Sequence, residues 1–254
     1  MSLAKLQEHR AIWHAKPVLA EVYDVWFRGL LDALPATGTV LEVGAGPSLL
    51  AEYARPRRSG GAWLASEVLA SPWNDVVANA ESLPVRSETV AGIAAVDLIH
   101  HLARPARFFR EAARILVPGG RLVVVEPWVT ALSWPIYRWL HHEGCTLSLD
   151  PWNPFALDAG QGKDAFEGDA AVVTNLVQQT PPQVWNDLGF DPPQVTPLNG
   201  LAYLLSLGFK RGCLLPRRAV PLVTALDLGL GRLARWLGLR AQVVWCRRRS
   251  APGR

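Results

Sequence analysis

The sequence predicts an α/β protein with a doubly wound, seven-stranded and mostly parallel sheet. Three observations lead to this prediction. Apolar runs of strand length alternate with segments of helical periodicity over residues 37–127, which is the pattern of a parallel sheet. The first run ends in the glycine turn at residues 44–46, where such sheets bind nucleotide-like ligands. A last apolar run at residues 241–246 is expected to close the sheet as an antiparallel strand.

Residues that start or end helices, together with the spacing of apolar residues, define the predicted elements in order. Pro17 suits the first turn of a helix, and apolar residues recur after it at helical spacing up to Leu34. Residues 118–120, Pro-Gly-Gly, indicate the end of a later helix. The chain up to residue 127 is thus predicted to contain a helix from 17, strand 39–43, a short helix from 48, strands 62–66, 75–77 and 91–96, helix 105–116 and strand 121–126.

The alternation of strands and helices stops after Pro127. We expect residues 128–205 to form a cap or substrate-binding insertion, because aromatic residues stand there among prolines and glycines. These aromatic residues are Trp128, Trp134, Tyr137, Trp139, Trp152, Phe155, Phe166 and Trp185. The predicted organisation is N-terminal helices over 1–36, a ligand-binding core over 37–127, the cap over 128–205, and a strand, helix and strand over 206–254 that complete the sheet. The predicted positions within that last part are 208–215, 220–237 and 241–246.

Composition excludes several classes of protein. Half of the 254 residues are hydrophobic and 19% are charged, which argues against disorder. The net charge of +4 comes partly from residues 247–249, all arginine, so no nucleic-acid partner is expected. Cys145, Cys213 and Cys246 stand far apart, which indicates neither a disulfide framework nor a zinc site. The first ten residues lack the apolar core of a signal peptide and no apolar run is long enough to span a membrane, so a cytoplasmic protein is expected.

The residues around the glycine turn separate two kinds of nucleotide site. A dinucleotide fingerprint needs a third glycine where this chain has Leu49, and this disfavours a nicotinamide oxidoreductase. An acid, Glu42, instead precedes Gly44 by two residues. Glu67 lies 21 residues beyond Gly46, at the end of the second predicted strand, where a carboxylate can accept hydrogen bonds from both hydroxyls of a ribose.

The acid-x-Gly-x-Gly order resembles motif I of class I S-adenosylmethionine-dependent methyltransferases. Three later segments are similar to the A-D-A-E-x-L-P-F, D-x-x-H-H-L and L-x-P-G-G-x-L signatures of the ubiquinone-biosynthesis-type branch, also called methyltransferase type 11. They are residues 78–84 (Ala-Asn-Ala-Glu-Ser-Leu-Pro), 97–102 (Asp-Leu-Ile-His-His-Leu) and 116–122 (Leu-Val-Pro-Gly-Gly-Arg-Leu). The resemblance covers residues 37–127 and implies a Rossmann-like methyltransferase fold with S-adenosylmethionine as the cofactor.

The resemblance also implies which residues contact that cofactor. The glycine loop would pass under its methionine and ribose portion, Glu42 and Glu67 would frame the pocket, and Glu67 would bind the ribose. Asn79 would face the adenine amino group in place of the family's usual Asp. The implied set is Glu42, Gly44, Ala45, Gly46, Glu67, Asn79, Ala80 (through its amide), Asp97 and Leu98.

Methyl transfer needs a general base only when the acceptor must lose a proton. His141 and His142 are candidate bases that Glu143 would orient, and His100 and His101 at the mouth of the cleft are alternatives. The cap is also similar to a group of bacterial class I methyltransferases with H-H-E after the fifth strand and K-D-x-F-x-x-D-x-A further on. Residues 163–171 match that second motif, and this implies that Lys163 or Asp164 binds the acceptor. A solvated helix end and a surface loop are the alternatives for these segments.

No metal is expected, because adjacent histidines on a helix point about 100 degrees apart and cannot easily bind the same ion.

Near the C-terminus, leucines at helical spacing run beside arginines, and this indicates a helix that covers the sheet. The same pattern also allows a contact with anionic lipid during modification of an amphiphile. The residues are Leu222, Leu226, Leu230, Leu233 and Leu237 with Arg232, Arg235 and Arg240.

The sequence therefore predicts a cytoplasmic transferase of small-molecule biosynthesis. It would use S-adenosylmethionine to methylate a small, partly apolar or amphiphilic acceptor. Oxygen is the atom expected to receive the methyl group. Two alternatives keep the cofactor but not the transfer: a binding or scaffold protein, and a cofactor-assisted enzyme such as a cyclase. Neither the acceptor nor the oligomeric state follows from the sequence.

Overall fold

A computed structural model describes residues 2–139, 144–155 and 167–249. Its seven strands form one sheet in the order β3-β2-β1-β4-β5-β7-β6. The first five strands pair in parallel, and β7 is antiparallel to both β5 and β6. The strands are β1 Val40–Val43, β2 Trp63–Glu67, β3 Val76–Val77, β4 Val90–Val96, β5 Leu116–Pro127, β6 Gln194–Leu198 and β7 Arg240–Cys246. The predicted doubly wound, mostly parallel sheet is confirmed.

Helices cover both faces of the sheet. Three of them begin at prolines, and two of these, Pro17 and Pro105, were predicted. A proline at the first helical position sacrifices no hydrogen bond. The helices are α1 Leu3–Ala15, α2 Pro17–Ala33, α3 Leu49–Ala54, α4 Pro105–Ile115, α5 Ser133–Trp139, α6 Val172–Gln179, α7 Pro182–Asp187, α8 Leu201–Ser206, α9 Val220–Gly229 and α10 Ala234–Leu237. Residues 118–120 do not end α4; they lie within β5, where the pairing with β4 shifts register.

Two hydrophobic cores lie on opposite faces of the sheet. In β1, Leu41 and Val43 belong to the core under α4, α6 and α7, while Val40 belongs to the core under α2 and α3. This alternation follows from the two-residue period of a strand. Because β1 is buried on both faces, its carboxyl end is held rigidly at the edge where the glycine loop begins.

Several aromatic residues of the predicted cap lie in the main core instead. Trp152 and Trp185 pack against Phe109 of α4, with ring centroids 5.8 and 5.1 Å away, and Phe190 and Trp245 complete the cluster. Each large ring stabilises the fold by burying apolar surface. These side chains are therefore not available to line an acceptor site, contrary to the expectation for Trp152 and Trp185.

The sixth strand lies at Gln194–Leu198, and the predicted strand at 208–215 is wrong. The physical reason is Lys16, whose ammonium donates to backbone carbonyls of the predicted strand and its approach. Its Nζ lies 2.5 Å from the Ser206 oxygen, 2.8 Å from that of Gly208, 3.0 Å from that of Lys210 and 2.8 Å from that of Gly212. Carbonyl groups that converge on one ammonium group cannot at the same time accept hydrogen bonds from a neighbouring strand.

The predicted helix at 220–237 is interrupted. The chain forms α9, a short 3-10 turn at Gly231–Leu233 and then α10. Glycines at positions 229 and 231 stand at the break, and Gly231 has a positive φ of 39°, which a continuous α-helix does not permit. Within the described part of the chain, no helix is long and apolar enough to cross a bilayer.

Candidate active site

The carboxyl ends of β1, β2, β4 and β5 meet at one edge of the sheet because these strands are parallel. This is the edge at which open α/β sheets bind ligands. The glycine loop follows β1, Glu67 ends β2, Asp97 follows β4, and Glu126 lies next to the end of β5. The candidate site is built from these four positions.

The glycine loop adopts a conformation that requires glycine. Gly44 and Gly46 have φ angles of +68° and +50°, in the left-handed region that side chains disfavour. A Cβ atom on Gly44 would stand 2.6 Å from Cδ1 of Leu98. Leu98, which follows β4, therefore lies directly on the loop, and two of the predicted cofactor-binding positions are in contact.

Glu67 is the acid that the structure ties to the loop. Its Oε2 accepts from the Gly46 amide at 2.8 Å and its Oε1 from the Val68 amide at 2.7 Å. The side chain is buried, yet each carboxylate oxygen retains a second acceptor direction. This arrangement fits a ligand that presents two neighbouring hydroxyls, as a ribose does.

Glu42 has a buried partner that the sequence does not suggest. Its Oε2 accepts from the indole Nε1 of Trp63 at 2.8 Å. Burial raises the pKa of Glu42 to about 8, against the opposing effect of the Trp63 hydrogen bond. Its carboxyl group is therefore engaged with β2, and its contact with a cofactor stays a prediction.

The predicted adenine-binding turn is shaped by the side chain of Asn79. The side-chain Oδ1 of Asn79 accepts from the Glu81 amide at 2.8 Å, so Asn79 shapes the turn. Among the described residues, the Ala80 amide donates no hydrogen bond. A buried, unpaired amide is rare in proteins, and here it stands where the family resemblance places an adenine ring nitrogen.

The first helix packs onto the glycine loop from outside. Arg10 of α1 donates to the Pro47 carbonyl at 2.7 Å, and its guanidinium lies over the ring of Trp73. Trp73 in turn donates to the Gly46 carbonyl at 3.0 Å. These contacts fix the loop from the side of α1, so the predicted N-terminal helices contribute to the site's rigidity.

A buried histidine–carboxylate pair lies beside Leu98. His100 Nδ1 is 2.6 Å from Glu126 Oε2, and the two side chains are 2% and 0% exposed. Glu126 Oε1 also accepts from the Leu98 and Ile99 amides at 2.9 and 2.6 Å. Burial alone would raise the pKa of Glu126, but His100 and these amides hold it below its usual value. An ionised Glu126 can only accept, so the proton of this hydrogen bond is on Nδ1 of His100.

Glu126 is a functional candidate that the sequence analysis missed. The signal that could have found it is the one used for Glu67: an acid that ends an apolar strand at the ligand-binding edge of the sheet. The Ile-His-His segment forms a short 3-10 turn at Ile99–His101. This turn brings His100 back over the end of β5.

His101 and the segment after residue 166 lie next to this pair. The rings of His100 and His101 are 4.0 Å apart, and His101 Nδ1 is 3.1 Å from the Glu167 carbonyl oxygen. Asp169, part of the second family-like motif, accepts from the Thr146 amide at 3.0 Å and from the Ala171 amide at 2.9 Å. Asp169 thus joins the segment at 144–146 to the start of α6, which is a structural role.

The other candidate bases lie outside the described residues. His141, His142 and Glu143 fall in the gap at 140–143, and Lys163 and Asp164 fall in the gap at 156–166. Their proposed roles stay predictions.

Asp97, whose side chain is 34% exposed, forms an ion pair with the buried Arg240 at the start of β7. Arg240 is itself buried, and its guanidinium lies 4.7 Å from the ring centre of Trp26 and 5.5 Å from that of Tyr203. Burial opposes the charge of Arg240, but Asp97 and neighbouring tyrosines raise its pKa above the usual value. The sequence analysis grouped Arg240 with the arginines beside the C-terminal helix, but it begins β7 and is buried.

Asp97, His100 and Glu126 each bring one potential ligand atom within 4.8 Å of the others. All three are already engaged: Asp97 by Arg240, and His100 and Glu126 by each other. A guanidinium beside Asp97 also opposes a second cation. The cluster therefore fits a proton-holding group better than a metal site.

Two cavities lie beside this edge. The larger, of about 260 Å³, is bounded by α2, the end of β6, α8, α9 and α10, and Trp26 and Tyr203 line it. The smaller, of about 230 Å³, lies behind the glycine loop, between α3 and the loop that precedes β3. Neither of these two cavities is lined by His100 or His101.

Comparison with known proteins agrees with this geometry. Residues 41–124 match the family described as "Methyltransferase domain", Methyltransf_11. No curated protein sequence matches the chain.

Solved structures share the fold at low sequence identity. A methyltransferase from Archaeoglobus fulgidus, described as SAM dependent, has a TM-score of 0.54 and 13% identity, with 89% of this chain and 93% of that chain covered. The [4+2]-cyclase SpnF has a TM-score of 0.53 and 15% identity, with 89% and 81% covered. Geranyl diphosphate C-methyltransferase from Streptomyces coelicolor, in complex with Mg²⁺, geranyl diphosphate and S-adenosylhomocysteine, has a TM-score of 0.50 and 15% identity, with 88% and 79% covered.

The residues at the edge of the sheet fit S-adenosylmethionine as cofactor. Glu67 offers acceptors for the ribose, Ala80 offers an unpaired amide among the described residues, and the glycine loop allows close backbone approach. The family match lies over these same positions. Residues 41–124 thus match a methyltransferase domain, and the edge of the sheet that they build suits S-adenosylmethionine.

Proposed function

We propose that this enzyme transfers the methyl group to an oxygen of a small, partly apolar acceptor. The observation that carries the proposal is the buried pair of His100 and Glu126 beside Leu98. Methylation at oxygen needs a group that removes the acceptor's proton, and a histidine held by a carboxylate is suited to that task. S-adenosylmethionine, when bound, supplies a methyl group on a sulfonium.

The chain's own residues have separate tasks in this proposal. Glu67 and the glycine loop bind and orient the cofactor's ribose and methionine portion. Glu126 orients His100 through Nδ1, and the imidazole accepts the proton of the acceptor hydroxyl. The low exposure of both side chains excludes water, which strengthens their electrostatic interaction.

The larger cavity supports a small and partly apolar acceptor. A volume of about 260 Å³ limits the ligand's size, and most lining side chains are apolar. Trp26 and Tyr203, which line this cavity, also contact Arg240, and Arg240 binds Asp97 at the cofactor edge. To reach His100, which does not line this cavity, the acceptor would extend past Arg240 and Asp97 to the end of β4. The lining includes Val22, Val25, Leu198, Ala202, Leu228 and Ala234, with Thr196, Asn199, Thr224 and Asp227 as polar members.

The test is a turnover assay with a panel of small phenols, aliphatic alcohols and carboxylic acids, scored by release of S-adenosylhomocysteine. The variants His100→Asn and Glu126→Gln should reduce kcat by about 10²-fold or more, the usual size of a general-base contribution, while affinity for S-adenosylhomocysteine is retained. Wild-type kcat should fall at low pH as the base is protonated, and the variants should lose this limb of the profile. His14→Asn, which alters a half-exposed histidine outside the site, is the control.

Two outcomes would contradict the proposed base. Unchanged turnover in His100→Asn would move the role to the cap, where His141→Ala and His142→Ala would then abolish activity. Methylated products with nitrogen or carbon as the only acceptor atom would exclude the oxygen assignment.

A cofactor-binding protein without methyl transfer is the second candidate function, and the low exposure of His100 favours it. A base at 2% exposure reaches an acceptor only if neighbouring segments move. The fold is also shared by a protein that is described as a [4+2]-cyclase. Product analysis distinguishes the two: a cyclase or scaffold leaves the cofactor unconsumed.

A further inference from the structure

The outer surface of α9 and α10 is more apolar than folding requires. Four large apolar side chains there are between 53% and 64% exposed, and we call them the α9–α10 face: Leu222, Leu226, Leu233 and Trp236. Contiguous apolar patches of this kind on a protein surface mark interaction sites.

The inner side of the same helices is already packed. Asp227 accepts from the Leu201 and Ala202 amides at 3.2 and 3.0 Å, so it caps α8 and holds α9 in place. Thr224 and Ala234 face the larger cavity. The helices are therefore anchored from inside, and the outward leucines and tryptophan contribute little to folding.

The stretch of chain that carries this face is basic. Residues 207–239 contain one acid, Asp227, and that acid is directed inward to α8. Arg235 stacks beside Trp236, with its guanidinium 5.6 Å from the ring centre. The exposed basic residues of the same stretch are Lys210, Arg211, Arg217, Arg218 and Arg235, of which Arg217 pairs with Glu21.

Charge decides between the possible occupants. A second copy of this chain seated on the same face would bring the arginines of both copies together, and like charges would oppose the contact. An anionic lipid surface instead satisfies both features, because leucine and tryptophan enter the headgroup boundary while arginines meet phosphates. We propose that the α9–α10 face docks the enzyme on an anionic membrane surface.

This proposal does not depend on the acceptor or on the atom methylated. The experiment is co-sedimentation of the full chain with vesicles of phosphatidylcholine containing one quarter phosphatidylglycerol, against vesicles of phosphatidylcholine alone. We expect binding to the anionic vesicles at least tenfold stronger than to the zwitterionic ones, and weakened at high salt. Arg218→Glu should weaken it further by about fivefold or more, since each surface cation contributes about that factor.

Matched variants distinguish binding through this face from non-specific adsorption to vesicles. Leu226→Glu should abolish binding, while Leu147→Glu, which alters a leucine of similar exposure elsewhere, should not. Affinity for S-adenosylhomocysteine reports that both variants are folded. Equal binding to the two vesicle types, or equal loss in both variants, would overturn the proposal. So would a dimer or a complex with another protein that Leu226→Glu disrupts without any binding to vesicles.

Discussion

The two ends of the candidate site are built in different ways. At the glycine loop, contacts join residues that are close in sequence, such as Glu67 and the Gly46 amide 21 residues earlier. At the β5–β7 end, contacts cross more than half of the chain: Asp97 pairs with Arg240, 143 residues later. The first end is therefore encoded in local motifs, and the second depends on the finished fold.

The largest expected effect is at the glycine-loop end, where replacing Glu67 should weaken cofactor binding. Glu67→Ala removes a charged acceptor of two ligand hydroxyls and the anchor of the Gly46 amide, so affinity for S-adenosylhomocysteine should fall about 100-fold, or about 3 kcal/mol. Calorimetric titration measures this loss. Glu81→Ala, which removes a neighbouring acid that pairs with Arg104, is the control and should bind nearly as the wild type does. A similar loss in both variants would mean that Glu67 has no specific role.

A smaller effect, on folding rather than on binding, is expected at the other end. Asp97→Asn keeps the shape and the left-handed φ of 54° but leaves the buried guanidinium of Arg240 without a countercharge. The free energy of unfolding should fall by about 2 kcal/mol, measured in urea. Arg28→Gln, which breaks an exposed ion pair with Asp24, should change it by less than about 0.5 kcal/mol. Equal effects would mean that the burial of the Arg240 guanidinium does not distinguish the two ion pairs.

The smallest expected effect is the contribution of Glu42 to the pH dependence of the free energy of unfolding. Its pKa of about 8 in the folded protein lies above its ordinary value of 4.5, so the folded state retains a proton that the unfolded state releases. The free energy of unfolding should therefore decline as pH rises from 4.5 to 8. Glu42→Gln keeps an acceptor for Trp63 and removes the titration. Its stability relative to the wild type should increase across that window by at least about 1.4 kcal/mol, the equivalent of one pKa unit. A constant difference between the two proteins from pH 5 to pH 8 would show that Glu42 is not buried in this way.

Local patterns predicted the part of the fold that local contacts build. The alternation of apolar runs located the five parallel strands and the helices that start at Pro17 and Pro105, and the glycine spacing located the loop. The acid at the end of β2 was found by its place in the pattern. Glu126 ends β5 in the same way, and the same rule would have found it.

The remaining parts depend on contacts that no spacing reveals. A carbonyl cluster around Lys16 converts a strand-like sequence at 208–215 into a turn. Trp152 and Trp185 were assigned to a cap because they stand among prolines, yet Phe109 and Trp245 draw them into the core. Arg240 follows a helical pattern in sequence but begins β7 and pairs with Asp97.

A crystal structure of the full chain with S-adenosylhomocysteine tests the central claim most directly. The account predicts that the ribose hydroxyls bind the carboxylate of Glu67 and that an adenine ring nitrogen accepts from the Ala80 amide. S-adenosylhomocysteine bound in the larger cavity beneath α9, or bound without a contact between its ribose and Glu67, would contradict the account.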